Sequence, residues 1–277
     1  MMQNKPEILA PAGTYEALIA AVRSGADAVY LGTSAFNARM KAENFAGEKL
    51  KEAVDYCHAR NVKVHITVNT LLLDREIKEA LDTIKLIAES GADAVILQDL
   101  GMAYLFRQCA PDIERHASTQ MSVGTLSGVR LLDELGYKRA VLPRELSKSE
   151  IKEIKDNCTA EIEIFVHGAL CMCVSGQCYM SSIFGARSGN RGLCALTCRL
   201  PFKVCGGNTD SALSLKDLSL AKRIGELEEV GVCSAKIEGR MKRPEYVAVA
   251  VSACAHARDG DDAPFGLYED LRRVFSG

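Results

Sequence analysis

Between residues 167 and 198 the chain reads HGALCMCVSGQCYMSSIFGARSGNRGLCALTC, and five of its eleven cysteines fall in that stretch. Cys171, Cys178, Cys194 and Cys198 follow the pattern C-x6-C-x15-C-x3-C. Four thiolates in one irregular loop can hold Zn2+ or an iron–sulfur cluster. Only Cys194 and Cys198 make the close pair usual in zinc fingers, so the spacing leans slightly toward iron–sulfur. Cys173, Cys205 and Cys233 stand close enough in sequence to replace one of the four. Cys57, Cys109, Cys158 and Cys254 lie in helical or connecting segments, where a thiol serves as a small apolar residue. A cysteine nucleophile with His167 or His116 as base is a competing chemistry, but it has no use for so many thiols. The cluster has no C-x-x-C pair, which weakens a redox-disulfide role.

The hydrophobic pattern predicts the scaffold that must carry this loop. SGADAVYL (24–31) recurs as SGADAVIL (90–97), with looser echoes in LGYKRAVL (135–142) and VGVCSAKI (230–237). Each echo reads as a helix ending at glycine followed by a short apolar strand. Leu50, Ala53, Val54 and Cys57 fall at helical spacing, as do Ile77, Ala80, Leu81 and Ile84. Ser147 and Glu150 predict a capping box. Strands are expected at 7–12, 28–32, 62–69, 94–99, 115–120, 139–144, 161–167 and 234–239. Eight apolar strands alternating with helices predict a (β/α)8 TIM-like barrel. A doubly wound open sheet is the alternative, weakened because no Gly-rich dinucleotide fingerprint follows the first strand. The expected organisation is one barrel domain over 1–277, with a cysteine-rich, metal-binding insertion at about 168–213 after strand seven.

Barrel enzymes gather their chemistry at the C-terminal ends of the strands. Arg39, His65, Asn69, His116, Gln120, Arg144, Glu145 and Arg240 are the candidate substrate-binding residues on that criterion, with Asn37, Gln98 and Asp99 near them. His167 and Glu238 are the candidates for proton transfer, being titratable groups placed beside the cysteines. Arg39, Arg144 and Arg240 together would suit a small carboxylate anion. The structural readings are helix caps, loop hydrogen bonds and surface ion pairs; Asp99 in particular could be a helix N-cap.

Apolar residues make up 48% of the 277 and charged residues 25%, the balance of a soluble globular protein. No apolar run is long enough to span a membrane. The start, MMQNKPEILAPAG, lacks the regions of a signal peptide, so a cytoplasmic location with reduced thiols is expected. The net charge of −2 gives no global positive field for naked nucleic acid. Local basic groups remain: Arg187, Arg191, Arg199 and Lys203 on the cysteine loop, and Lys236, Arg240, Lys242 and Arg243 at strand eight.

FVHGALCMCVSGQCYMSSIFGARSGNRGLCALTCRLPF (165–202) closely resembles the signature of the peptidase U32 family. EILAPAGTYEALIAAVRSGADAVYLG, FNARMKAENF, HASTQMSV, PRELS and KIEGRMKRPEYV resemble the same family, so the likeness spans nearly the whole chain. The resemblance implies an oxygen-independent hydroxylase carrying a 4Fe-4S cluster, with Cys171, Cys178, Cys194 and Cys198 as ligands, Cys173 or Cys233 in reserve, and Zn as the alternative metal. Substrates in such relatives include a ribosomal RNA cytidine, a tRNA wobble uridine and ubiquinone precursors, with prephenate as hydroxyl source in the latter two pathways. The wording is nearest the ribosomal-RNA branch, so RNA and a prephenate-like anion are the expected partners. Members of that branch continue into a further domain, whereas this chain stops at Gly277; a protein partner or that missing domain is therefore expected to matter. The family's older meaning, a collagenase-like peptidase, is the alternative, although neither H-E-x-x-H nor G-x-S-x-G is present. A cluster-bearing accessory subunit is the remaining option.

Overall fold

Eight parallel strands close on one another in chain order: β1 (Glu7–Pro11), β2 (Ala28–Gly32), β3 (Lys63–Val68), β4 (Ala94–Leu97), β5 (Glu114–Ala117), β6 (Arg139–Val141), β7 (Glu161–Gly168) and β8 (Ser234–Ile237). β8 pairs with both β7 and β1, and β6 pairs with β7, so the sheet has no free edge along the ring. The protein is thus a (β/α)8 barrel, and the open-sheet alternative falls. The structure, a computed structural model, describes residues 5–39, 43–203, 205–206 and 209–275. Part of the FNARMKAENF segment (40–42) and three positions of the cysteine-rich insertion (204, 207 and 208) lie outside the described residues.

The outer helices are α1 (Tyr15–Arg23), α2 (Glu48–His58), α3 (Ile77–Ser90), α4 (Leu100–Cys109), α5 (Leu126–Glu134) and α6 (Lys148–Asp156). Local rules explain their starts. Thr14, Asp99, Thr125 and Ser147 each accept a backbone N–H of the first turn, and Ser147 with Glu150 forms the expected capping box. Leu50, Ala53, Val54 and Cys57 all face the core, as their spacing predicts. On α3 only Ala80 and Ile84 do so; Ile77 and Leu81 face solvent, because the buried stripe runs through Ala80, Thr83, Ile84 and Ile87.

The barrel interior is polar at its N-terminal end. Arg139 pairs with Glu7 (2.7 Å), Glu161 (2.9 Å) and Glu163 (3.1 Å), and Lys236 pairs with Glu163 at 2.8 Å. Burial would raise the Glu163 carboxyl, but Lys236 and Arg139 hold it down to about 2. A buried charge persists only when neighbours neutralise it in this way.

After β7 the chain leaves the barrel for the cysteine-rich insertion. It contains the short helix α7 (Met180–Gly185) and an antiparallel pair, Phe202–Lys203 with Thr209–Asp210. It returns as Leu218–Ser219, antiparallel to the end of β7. Helices α8 (Ile224–Val230), α9 (Pro244–Asp259) and α10 (Leu267–Phe275) complete the outer layer. Among the described residues no helix is long and apolar enough to cross a membrane.

Candidate functional site

Glu238 and Arg240 leave β8 at the C-terminal mouth of the barrel. The Glu238 carboxylate accepts from Arg39 Nη2 at 3.2 Å through one oxygen and from Arg144 Nη2 at 3.0 Å through the other. Burial alone would raise this carboxyl; Arg39, Arg144, Arg240 and Lys236 instead hold it down to about 2. The Arg144 guanidinium also lies over the Phe165 ring at 3.6 Å, a cation–π contact that fixes its plane.

Arg240 is placed differently. It is buried, and Nη1 donates to Thr67 Oγ1 at 2.7 Å while Nη2 reaches Asn37 Oδ1 at 3.4 Å. No carboxylate forms an ion pair with it among the described residues. Burial, and then the neighbouring Arg39, lower it to about 10. Gly32 makes room for it: a Cβ there would stand 2.5 Å from Arg240 Nη1. Asn37 also accepts from Arg39 N at 2.8 Å, which ties the loop after β2 to the same group.

The insertion is fastened over this mouth by polar tethers. Glu145 Oε1 accepts from Ser175 N (3.0 Å) and Ser175 Oγ (3.1 Å). Ser122 donates to Ser175 O, and Gly176 packs so tightly on Gln120 that a Cβ would meet its carbonyl oxygen at 2.5 Å. Arg191 pairs with Glu76 and donates to Leu71 O at 2.7 Å; within the insertion itself Arg199 donates to Leu170 O at 2.9 Å and Ser214 Oγ at 2.8 Å.

All eleven cysteines are free thiols. Cys171 is exposed at the rim in the field of Arg144, Glu238, Arg39 and Cys194, and partial desolvation by the surrounding mouth raises its thiol. Cys194 Sγ accepts from Leu196 N at 3.4 Å, and Gly189 lies against both Cys178 O and the Cys194 side chain. Among the described residues no three His, Cys, Asp or Glu side chains are gathered as a metal cage. The donor chemistry nonetheless suits a thiolate-bound metal group. Six free thiols share one insertion, one already receives a backbone N–H, and the arginines at the rim would offset the negative charge of thiolates. Cys233 is corrected as a reserve ligand. It precedes β8 at the opposite end of the barrel, where Sγ donates to Ile162 O at 3.2 Å and burial pushes the thiol up to about 12.

Several expected mouth residues have other places. His65 and His116 meet edge to face inside the barrel, ring centroids 4.9 Å apart, and His116 Nε2 lies 3.3 Å from Glu114. Both are buried, and burial lowers both. His65 precedes Thr67 by one inward step, so this pair sits a layer beneath Arg240. Asn69 accepts from Ala38 N at 3.0 Å and braces the loop after β2. Gln120 contributes its backbone carbonyl to Gln98 at 3.2 Å, and Asp99 is indeed an N-cap. Glu145 anchors the insertion. His167 is buried at the end of β7 with its ring 5.8 Å from that of Tyr246, and burial, helped by Lys242, lowers it to about 4. Lys236 and Arg240, read from sequence as part of a surface basic patch, are buried; Lys242 and Arg243 remain outside.

Thr67, Tyr30 and Glu163 were missed as parts of this assembly. Their signal was parity: Tyr30, Thr67, Lys236 and Glu238 alternate on the inward face of their strands.

A family model described as Peptidase family U32 matches residues 13–276. The 23S rRNA 5-hydroxycytidine C2501 synthase of Escherichia coli is 40% identical over 99% of this chain and 42% of its own length. The tRNA hydroxylation protein P1 of Bacillus subtilis is 37% identical over 91% of this chain and 63% of its own length. A protein named collagenase from Porphyromonas gingivalis is 35% identical over the whole chain and 72% of its own. This chain thus spans less than two thirds of the two RNA-modifying relatives. Among solved structures, the U32 peptidase Mk0906 aligns with a TM-score of 0.58 at 13% identity, covering 85% of this chain and 93% of that one, a likeness of fold.

Proposed function

This chain belongs to peptidase family U32, and from that premise we propose that it hydroxylates a nucleobase in RNA without molecular oxygen. A ribosomal RNA cytidine is the first candidate, with a 4Fe-4S cluster as cofactor and a prephenate-like carboxylate as hydroxyl donor. The observation that carries the anion part is Arg240, a buried guanidinium with no ion-paired carboxylate among the described residues, beside Arg39 and Arg144. The RNA part is supported by the two relatives whose names specify RNA hydroxylation.

Cys171, Cys178, Cys194 and Cys198 would hold the cluster, with Cys173 in reserve. When bound, such a cluster supplies a redox-active, Lewis-acidic iron beside the anion site. The chain's own groups do the rest. Arg240, oriented by Thr67 and Asn37, holds one donor carboxylate. Arg39 and Arg144, each of which uses one Nη2 on Glu238, would offer their remaining N–H groups to a second. At neutral pH Glu238 is ionised and His167 neutral, so each is in the proton-accepting form.

The test is mass spectrometry of ribosomal and transfer RNA from cells with and without the gene. A hydroxylated nucleoside that disappears on deletion, returns with the wild-type gene and fails to return with Cys171→Ser supports the reading. Unchanged RNA, together with gelatin cleavage by purified protein that Cys171→Ser abolishes, would replace it with the peptidase.

A further inference from the structure

The cysteine-rich insertion exposes large apolar side chains that a soluble surface seldom leaves together. Tyr179 is 59% exposed, Ile183 78% and Phe184 68%, all on α7 or its first flank. α7 is joined to the thiol-bearing turn, since Ala195 N donates to Ser181 Oγ at 3.1 Å. These side chains therefore share the rim with Cys194.

The surrounding charge favours a polyanion. Residues 168–213 carry Arg187, Arg191, Arg199 and Lys203 against a single carboxylate, Asp210, in a chain whose net charge is −2. Arg191 is used as a tether to the barrel, and Arg199 is used inside the insertion. Arg187, which is half-buried just past the left-handed Ala186 that ends α7, makes no side-chain hydrogen bond or ion pair among the described residues, and Lys203 is exposed. Open rings interleaved with unneutralised cations are what single-stranded nucleic acid requires: bases stack on the rings while phosphates meet the cations. An apolar protein partner would not call for the cations.

We propose that Tyr179 and Phe184, with Ile183 between them in the chain and Arg187 beside them, form a stacking platform on the insertion for an unpaired stretch of RNA beside the barrel mouth. The platform rests on the RNA-hydroxylase reading and specifies where the nucleotides flanking the reacting base lie.

The experiment measures binding of the full chain to a short fluorescein-labelled single-stranded oligoribonucleotide of mixed sequence, by anisotropy across a salt series. Phe184→Ala and Tyr179→Ala should each weaken binding by about 5- to 100-fold, the range that base–aromatic stacking carries, with little change in salt dependence. Phe184→Trp should retain affinity. Arg187→Ala should reduce the salt slope by about one. The positions are exposed, so thermal midpoints should match the wild type. Alanine variants that bind as tightly as wild type would overturn the platform. If those variants also hydroxylate RNA normally, the wider reading stands without the platform. A wild-type chain that neither binds the oligonucleotide nor modifies RNA sinks both.

Discussion

Arg240 donates to Thr67 Oγ1 at 2.7 Å inside the barrel mouth, held by a neutral hydroxyl where a carboxylate would ordinarily stand. An ion taken out of water without a counter-ion costs stability, and a bound anion recovers that cost. Arg240→Met should therefore weaken a dicarboxylate such as prephenate by at least about tenfold, the scale of a lost charged hydrogen bond. Its thermal midpoint should not fall. Calorimetric titration beside a thermal melt checks both, and a variant that binds the anion normally would remove Arg240 from the site.

Glu238 links pH to stability. Its carboxyl lies at about 2 in the folded chain against an ordinary 4.5, because Arg39, Arg144, Arg240 and Lys236 outweigh burial. A depressed carboxyl contributes stability above its unfolded value and loses it as pH falls toward the folded one. Unfolding free energy should therefore fall between about pH 4.5 and about pH 2, by at most about 3 kcal/mol from this group. Glu163 titrates in the same window, so Glu238→Gln should flatten only part of the decline. Urea melts across that range test it; an unchanged slope in Glu238→Gln would contradict the assignment.

The thiols separate by location. Iron and sulfide bound after anaerobic purification should drop sharply in Cys171→Ser, Cys178→Ser, Cys194→Ser and Cys198→Ser. Cys233→Ser, at the far end of the barrel, should keep the wild-type content. Loss of iron in Cys233→Ser alone would reverse the ligand set.

Glu145 is expected to act on the insertion more than on the barrel. Glu145→Ala removes both hydrogen bonds to Ser175. Hydrogen exchange within residues 169–200 should accelerate by about tenfold or more, given about 1–3 kcal/mol for bonds to a charged acceptor. Exchange in β3 and β4 should be unchanged. Uniform protection would mean that the other tethers suffice.

Much of the scaffold was legible because its signals are local. Buried parallel strands are short apolar runs, and Ser147 with Glu150 announces a helix start in four residues. Arg39, Arg144, Glu238 and Arg240 were readable as strand-end polar groups that converge once a barrel is assumed. Depth was not readable. Alternation tells inward from outward, but nothing local tells that His65 lies a layer beneath Thr67. The run KIEGRMKR looks like one basic patch, yet alternation and the turn at Gly239 bury Lys236 and Arg240 and expose Arg243. The roles of Glu145 and Arg191 depend on partners 30 and 115 positions away, which no short window contains.

The join between β8 and β1 brings Ser234 to Glu7, residues from opposite ends of the sequence, and Tyr30 adds a hydrogen bond to Ile237 O at 2.9 Å. Such a long loop is closed at the greatest entropic expense of any strand pairing in the ring. Glu238 and Arg240 ride on the strand that makes this seam, while Arg39, Asn37 and Thr67 belong to elements across it. Whenever the seam parts, Arg240 loses Thr67 and Asn37 and Glu238 loses Arg39, although Glu238 can keep Arg144 and the cysteines can stay together on their own stretch of chain. Completing the ring and switching on the anion site are thus one event, which keeps a half-folded chain from presenting a working centre.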